Sequence, residues 1–300
     1  MKTLMDHASP HVNGPLVIGG VGGSGTRIVA EIILSFNYYL GNDLNGPKDF
    51  LLYTLLFKRK SWFYKNKTNE RLIQTGLSIL KKSVVTKENL TFFESCYLIN
   101  ATFSMALFGH NYLGDGKGWW ALTRIKKMFE KNDLAPTKYQ AWGWKEPNSH
   151  LLIRDMDHFF GQFKYIHTVR HGLDMAFSDN QQQLFNWGPL FGIEIPASKS
   201  QLPLASFKYW VRANRLALEK GAQMGPERFF LLNYDQLCSD PERVIRKLIA
   251  FLKIDVNDAL LKRVIKLPQV PETSGRFRKH DVSKFDVIDL NFLESLGFFI

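Results

Sequence analysis

Residues 15–33, PLVIGGVGGSGTRIVAEII, contain the strongest functional signal in this chain. Residues 16–18 form an apolar run that predicts a buried strand, and the apolar pattern from Ile28 onward predicts a helix. Between them, glycine occupies four of the five positions 19–23. A strand, a glycine-rich turn and a helix N-terminus together favour anion binding, because the backbone can approach a ligand closely and unpaired N–H groups point at it. The stretch therefore predicts a phosphate- or sulfate-binding loop.

Three known loop patterns overlap in this stretch. Residues 20–25 match the dinucleotide pattern G-x-G-x-x-G, and Asp43 lies about where its ribose-binding acid is expected. The nucleotide-hydrolase pattern G-x-x-x-x-G-K-[ST] is matched only in its glycines, since Thr26 replaces the lysine and Arg27 replaces the magnesium-binding hydroxyl. A G-[ST]-G-T loop that holds a 5′-phosphosulfate needs no metal, and residues 24–26 supply its hydroxyl and amide donors. The loop alone leaves the dinucleotide and phosphosulfate interpretations open.

Other segments of the chain help to distinguish these interpretations. Residues 163–178, FKYIHTVRHGLDMAFS, predict a second buried strand that breaks into a helix. Arg170 lies at the end of this strand, and Ser178 follows eight residues later, two helical turns into the predicted helix. Three more segments carry polar or basic residues after or between apolar ones. They are WKEP at 144–147, FFLLNYDQLCSDP at 229–241 and SGRFRK at 274–279.

Together these segments resemble the PAPS-dependent sulfotransferases, in which a strand-end arginine and a serine at this spacing bind the 3′-phosphate. The resemblance extends from about residue 15 to the C-terminus. It implies an α/β fold of three layers, a parallel sheet flanked by helices, similar to that of the P-loop NTPases. It also implies PAPS as co-substrate, PAP as product and no metal ion. Transferred to this sequence, the nucleotide-binding positions of the family are Gly22, Gly23, Ser24, Gly25, Thr26, Arg27, Arg170, Ser178, Tyr234, Arg276, Arg278 and Lys279.

The chain departs from the family at one position of the loop. Many members carry lysine or arginine immediately before the loop serine, whereas this chain has Gly23. Lys145 and Arg27 are the available substitutes for that charge. Lys145 resembles the lysine of the Lys-acid-Pro segment in the protein-tyrosine and carbohydrate branches, which contributes to transition-state stabilisation. Since the histidine setting of the cytosolic small-molecule branch is also missing, the sequence is closer to the former two branches.

The resemblance implies in-line transfer of a sulfuryl group from PAPS to an acceptor hydroxyl or amine, with a base that deprotonates the acceptor. Asp43 is the first candidate, because it follows the loop by about the interval at which the tyrosine-sulfating branch places its glutamate. A helix cap or turn residue would explain Asp43 equally well. Glu146 is the second candidate, or else a partner for Lys145. His167 is expected in the core and His171 on a loop surface.

Composition limits the domain organisation and the compartment. The 300 residues, 45% of them hydrophobic, predict a single α/β domain over 1–300, with a helical insertion at about 44–131 that forms a lid and contacts the acceptor. Cys96 and Cys238 are too few for a disulfide framework. No run approaches 18 apolar residues, and the polar start MKTLMDHASPHVNG lacks a signal-peptide core. We therefore expect a cytoplasmic protein without a transmembrane segment.

The formal net charge of +11 indicates a ligand with several negative groups. The basic residues are scattered, which argues against a nucleic-acid surface. The expected acceptor is a small molecule, a carbohydrate or a peptide. Two other functions stay open: a Rossmann-type NAD(P)-binding oxidoreductase, which would leave Arg170 and Ser178 without a role, and a non-catalytic nucleotide or anion binder, which Gly23 favours.

Apolar periodicity predicts four strands, at 15–20, 139–143, 163–169 and 228–233. Predicted helices cover 26–37, 47–60, 69–82, 88–108, 119–131, 148–159, 172–184, 203–221, 241–252, 257–265 and 289–295. Strands that alternate with longer helices predict a parallel sheet, which binds ligands at the carboxyl ends of its strands. The glycine loop, Lys145, Arg170 and Tyr234 each follow a predicted strand closely and should converge on that edge.

Overall fold

Four short parallel strands form the centre of the fold, in the order β2-β1-β3-β4. They are β1 (Leu16–Gly20), β2 (Gly143–Lys145), β3 (Lys164–Val169) and β4 (Phe229–Asn233). The structure is a computed structural model, and it describes residues 15–86, 88–110, 118–130 and 138–300. β1 and β3 are buried almost throughout, as expected of central strands whose two faces are both covered by helices. The strands predicted at 15–20, 163–169 and 228–233 are confirmed.

The second strand begins later than the sequence predicts. β2 pairs with β1 only in the register Leu16–Gly143 to Ile18–Lys145. The preceding residues pair elsewhere, since Tyr39 N–H donates to the carbonyl of Ala141 at 2.9 Å. Gln140 and Ala141 therefore bond to the segment after the first helix rather than to β1. Lys145 is the last residue of the strand rather than part of the turn that follows.

Helices fill the rest of the described chain. The α-helices are α1 (Thr26–Ser35), α2 (Leu51–Phe57), α3 (Lys60–Asn66), α4 (Glu70–Lys81), α5 (Phe92–Phe108), α6 (Trp120–Met128), α7 (Ile153–Phe160), α8 (Gly172–Ala176), α9 (Gln182–Trp187), α10 (Leu202–Met224), α11 (Tyr234–Ser239), α12 (Pro241–Leu252), α13 (Asp258–Val264) and α14 (Val287–Ser295). A π-helical turn spans Lys82–Thr86, and 3₁₀ turns span Pro147–Leu152, Gly188–Phe191, Lys199–Gln201 and Arg276–Lys279.

Two predicted helices are broken in the structure. The one predicted at 47–60 becomes α2 and α3, separated at Lys58 and Arg59. The one predicted at 172–184 becomes α8 and α9, because the Gln181 side chain donates to the carbonyl of Ala176 at 2.8 Å and closes the chain into a turn. Ser178 consequently lies in a loop, and the prediction that it lies two turns into a helix is wrong.

Helices cover both faces of the sheet, so the predicted three-layer α/β architecture is confirmed. Side chains of alternate residues along β1 enter two separate hydrophobic cores. Leu16 and Ile18 pack with α1, α11, α12 and α13 on one face. Val17 packs on the other face with α2–α10 and α14. Helices α2–α6 occupy the predicted insertion and share this second core; their role as a lid stays a prediction. Among the described residues, no helix combines the length and apolar character needed to cross a membrane.

The central strands create a crevice at their carboxyl ends. α1, which follows β1, packs on one face of the sheet, whereas α8, which follows β3, packs on the other. β1 and β3 are neighbours, so the connections leaving them diverge from a common point. This is the topological switch point at which open α/β sheets bind ligands. The glycine loop and Arg170 both lie there.

Candidate functional site

The glycine loop after β1 has the backbone geometry of an anion site. Gly20, Gly23 and Gly25 adopt φ angles of +151°, +96° and +89°, which side-chain-bearing residues rarely adopt. Gly25 is the N-cap of α1, and among the described residues no side chain caps this end of the helix. The dipole and the first-turn N–H groups of α1 therefore face the crevice without a protein carboxylate or hydroxyl in the way.

Close packing holds the loop in this shape. A Cβ atom at Gly25 would clash with the ring of Tyr234, one at Gly20 with the carbonyl of Thr168, and one at Gly22 with the side chain of Gln183. The structure thus brings together the loop and Tyr234, as predicted, although 209 positions separate Gly25 from Tyr234 in the sequence.

Two hydroxyl-bearing residues complete the loop. Ser24 and Thr26 are both buried. Ser24 Oγ has no hydrogen-bond partner among the described residues. Because a buried unpaired hydroxyl is costly, it indicates a ligand that accepts or donates there. Arg27 differs, since its side chain is 66% exposed and pairs with Glu31 one turn along α1 at 3.1 Å.

Arg170 lies at the end of β3, beside the loop. Its Nη2 donates to Thr273 Oγ1 at 2.8 Å, and its guanidinium lies 5.7 Å from the ring centre of Tyr234. The Nε atom is buried and has no partner among the described residues. An arginine with an unused buried donor beside an anion-binding loop is suited to a second phosphate group.

The basic C-terminal segment is brought to the same place by Asp174 of α8. The two carboxylate oxygens of Asp174 accept from the backbone N–H groups of Gly275 at 2.8 Å and Phe277 at 3.2 Å. Arg276 Nη1 also donates to the Phe177 carbonyl at 3.5 Å. This role of Asp174 could not be predicted from the sequence, because one acid within a short helix gives no signal of a partner 101 residues away.

The other predicted nucleotide-binding residues surround this segment. Ser178 is half-buried, and its Oγ accepts from the N–H of Asn180 at 3.3 Å. Arg278 and Tyr234 help to line a cavity of about 350 Å³, and Lys279 is exposed at the surface. The structure therefore brings Tyr234 against both the loop and Arg170, and brings Arg276 against Phe177, the neighbour of Ser178.

Lys145 is buried at the end of β2 and makes specific contacts. Its Nζ donates to the Pro47 carbonyl at 3.1 Å and to Asp49 Oδ1 at 2.5 Å. Burial opposes the ionisation of Asp49, but the Lys145 ammonium, its hydrogen bond and the charge of Lys58 lower the pKa of Asp49 below its ordinary value. An ammonium has three N–H donors, so Lys145 retains one for another oxygen.

Glu146 and Lys58 form a second ion pair beside the first. Lys58 Nζ lies 3.3 Å from Glu146 Oε1, and Asn148 donates its backbone N–H to the same carboxylate at 2.7 Å. Burial raises the pKa of Glu146. Asp49 differs in being accessible, with a side chain that is 14% exposed, whereas Glu146 is fully buried. Of these two carboxylates, that of Asp49 is therefore the one partly open to solvent.

Asp43 lies in a different ion cluster from Lys145. Both of its oxygens accept from the guanidinium of Arg124, at 2.5 and 2.8 Å, and Lys127 Nζ lies at 3.2 Å. Its side chain is fully buried. The carboxylate beside Lys145 is that of Asp49, which the sequence analysis did not single out.

The structure also clarifies the histidines. His167 is buried and its Nε2 lies 2.8 Å from Asn214 Oδ1, which fits the expected core role. His171 is buried as well, stacked on Phe277 with ring centres 4.3 Å apart, so its predicted surface position is wrong. His110 was missed. Burial and the charge of Lys58 lower the pKa of His110 to about 4, and its Nδ1 has no partner among the described residues.

Comparison with known proteins agrees with these observations. The model described as "Sulfotransferase family" matches residues 15–258. Among solved structures, the sulfotransferase domain of the Synechococcus PCC 7002 olefin synthase is 16% identical, with a TM-score of 0.47 and coverage of 100% of this chain and 99% of that chain. The sulfotransferase domain from the curacin biosynthetic pathway is also 16% identical, with a TM-score of 0.48 and coverage of 97% and 99%.

A relative from Aquifex aeolicus (strain VF5), described as an uncharacterized protein, is 25% identical over 131 residues. That match spans 42% of this chain and 16% of the relative. The assignment rests instead on the family model, which covers most of the chain and includes the glycine loop, Lys145 and Arg170. This chain belongs to the sulfotransferase family.

Proposed function

We propose that the protein transfers a sulfuryl group from PAPS to a hydroxyl or amine of an acceptor and releases PAP. The observation that carries this proposal is that three groups lie at the carboxyl ends of three neighbouring parallel strands, β2, β1 and β3. These are an uncapped glycine loop, an arginine with an unused donor and a buried lysine with one free N–H. PAPS supplies the activated sulfuryl group on its 5′-phosphate.

The residues of the site fit the two ends of this nucleotide. Backbone N–H groups of residues 23–27 and the unpaired Ser24 hydroxyl would hold the 5′-phosphosulfate. Arg170, Ser178 and Arg276 would hold the 3′-phosphate, since the free Nε of Arg170 gives that residue a donor for it. Tyr234, Arg278 and Lys279 extend the same surface, and we propose that they contact the remainder of the nucleotide.

Lys145 would stabilise the negative charge that develops on the oxygen that leaves the sulfur. It compensates for Gly23, where many relatives carry the cation in the loop. Arg27 is a weaker substitute because its exposed side chain is engaged by Glu31. A preorganised ammonium in a buried setting acts more strongly than one in water.

Three carboxylates, those of Asp43, Asp49 and Glu146, are candidates for the base that deprotonates the acceptor. Asp43 is the proposal from sequence, but its carboxylate is fully buried and held by Arg124 and Lys127, so an acceptor hydroxyl has no access to it. We propose Asp49 as the stronger candidate, because it is accessible, ionised and hydrogen-bonded to Lys145. Glu146 is fully buried and Lys58 holds it, so we assign it the role of partner in the ion cluster.

A ligand-binding experiment tests the donor. PAP without magnesium should stabilise the folded protein, by about 2.7 kcal/mol at a hundredfold excess over Kd. NADH should give no comparable shift in Tm. A response to NADH without one to PAP would exclude the proposed donor. Turnover of PAPS with mixed acceptors then separates an enzyme from the non-catalytic binder that Gly23 alone would favour.

Arg170→Ala should weaken PAP binding by about 1.5–3 kcal/mol, the range for a hydrogen bond to a charged group. The PAP analogue without a 3′-phosphate should bind to Arg170→Ala with almost the same Kd as to the unchanged protein. Isothermal titration calorimetry measures both ligands. Arg243→Ala is a matched control, since Arg243 pairs with Asp240 on the surface of α12. Equal losses for the two nucleotides would show that Arg170 does not recognise the 3′-phosphate.

A further inference from the structure

An apolar stripe runs along the exposed side of α5. Its members Phe92, Ile99, Phe103 and Leu107 are spaced by seven, four and four residues, which places them on one side of a helix. Phe92 is 87% exposed, and Phe108 at the end of the helix is 75% exposed. Since α5 has 17 residues, the stripe is about 25 Å long. Soluble monomers rarely expose contiguous apolar surface of this extent.

Helix α6 widens this stripe. A Cβ atom at Gly118 would clash with the carbonyl of Met105, so the start of α6 lies directly against α5. The neighbouring Trp119 is 58% exposed, and Leu122 follows on the exposed side one turn later. We call the surface formed by these residues of α5 and α6 the apolar face.

The part of the chain that contains the apolar face is rich in positive charge. Residues 44–130 contain 14 lysines and arginines against six aspartates and glutamates, whereas the rest of the chain has 25 against 22. α6 contains Arg124, Lys126 and Lys127 and no acid, and two of these, Arg124 and Lys127, pair with Asp43. The single acid of α5, Glu94, is buried and paired with Lys82 at 2.9 Å. At the other end of the face, the guanidinium of Arg71 lies 4.9 Å from the ring centre of Phe93.

We propose that the apolar face docks on the surface of an anionic lipid bilayer. Exposed aromatic and aliphatic side chains next to lysine and arginine are the pattern of helices that lie in the membrane interface. An excess of positive charge in the same region adds attraction to anionic headgroups. A second copy of the chain is disfavoured as the occupant, because the same positively charged regions would face each other.

Vesicle binding tests the proposal with the full chain. The protein should sediment with vesicles of phosphatidylcholine and phosphatidylglycerol, bind less to pure phosphatidylcholine, and bind less in high salt. The double variant Phe103→Glu with Leu107→Glu should lower the partition coefficient at least about tenfold. The matched control is Val287→Glu with Ile288→Glu, an equally apolar exposed pair on α14, which should leave binding unchanged.

The outcomes are distinguishable. Because Phe103 and Leu107 are exposed, the variant should keep the Tm and PAP response of the unchanged protein, so lost vesicle binding reports on the face itself. Failure of the unchanged protein to bind anionic vesicles overturns the proposal, as does equal binding by the Phe103 and Leu107 variant. A dimer in sedimentation velocity that this variant converts to a monomer would show that a second copy covers the face.

Discussion

Lys145→Ala should lower kcat by about 10²–10³-fold while the Kd for PAP changes little. A preorganised cation that acts on developing charge stabilises the transition state much more than the bound nucleotide. The variant also removes the partner of Asp49, and breaking a buried ion pair costs about 3–5 kcal/mol of stability. Turnover is therefore compared at a temperature where circular dichroism shows each variant to be folded. PAP affinity is measured on the same samples.

Two further variants isolate the role of the Lys145 ammonium. Lys145→Arg should restore activity only in part, since a planar guanidinium does not replace a compact ammonium that already bonds Pro47 and Asp49. Arg27→Ala is the control for the alternative cation and should cost less kcat, because the Arg27 side chain is exposed and paired with Glu31. A larger loss for Arg27→Ala than for Lys145→Ala would place the catalytic cation in the loop.

Asp49→Asn should lower kcat by about 10²-fold or more, the contribution typical of a general base. Asp43→Asn should chiefly reduce stability, because it leaves the Arg124 guanidinium without its carboxylate partner, and should change kcat by less than about threefold if Asp43 is not the base. Steady-state kinetics with thermal denaturation of both variants gives the comparison. The reverse order would identify Asp43 as the base.

The pH profile of kcat/KM distinguishes Asp49 from Glu146, the other carboxylate beside Lys145. A base works only when ionised, so activity is lost as the pH falls through its pKa. The pKa of Asp49 lies below its ordinary value of 3.8, and a profile governed by Asp49 should therefore stay flat on the acid side down to about pH 4. Burial raises the pKa of Glu146 above 4.5, so a loss of activity that begins above that pH would favour Glu146.

Much of the fold and part of the site could be predicted because their signals are local. Glycine turns, short apolar runs and helix caps act on residues within a few positions of each other, as at Thr91 with Glu94, where α5 begins with a capping box. The carboxyl ends of parallel strands necessarily meet at one edge. Sequence alone thus determined the strands at 15–20, 163–169 and 228–233, the glycine loop, and the placement of that loop with Arg170 and Tyr234 at one edge of the sheet.

Tertiary structure decided which charged groups meet. Asp49 and Lys145 are 96 residues apart, and Asp43 and Arg124 are 81 apart, so no local spacing identifies either pair. The number of residues between the glycine loop and Asp43 favoured Asp43 as the base. In the folded chain the insertion passes over β2, and Asp49 rather than Asp43 lies next to Lys145. Tertiary contacts also decided the position of Ser178. It lies in a loop rather than in the predicted helix, because the Gln181 side chain donates to the carbonyl of Ala176 at the end of α8. Ion pairs and helix ends of this kind depend on contacts between distant segments, which only the packed chain establishes.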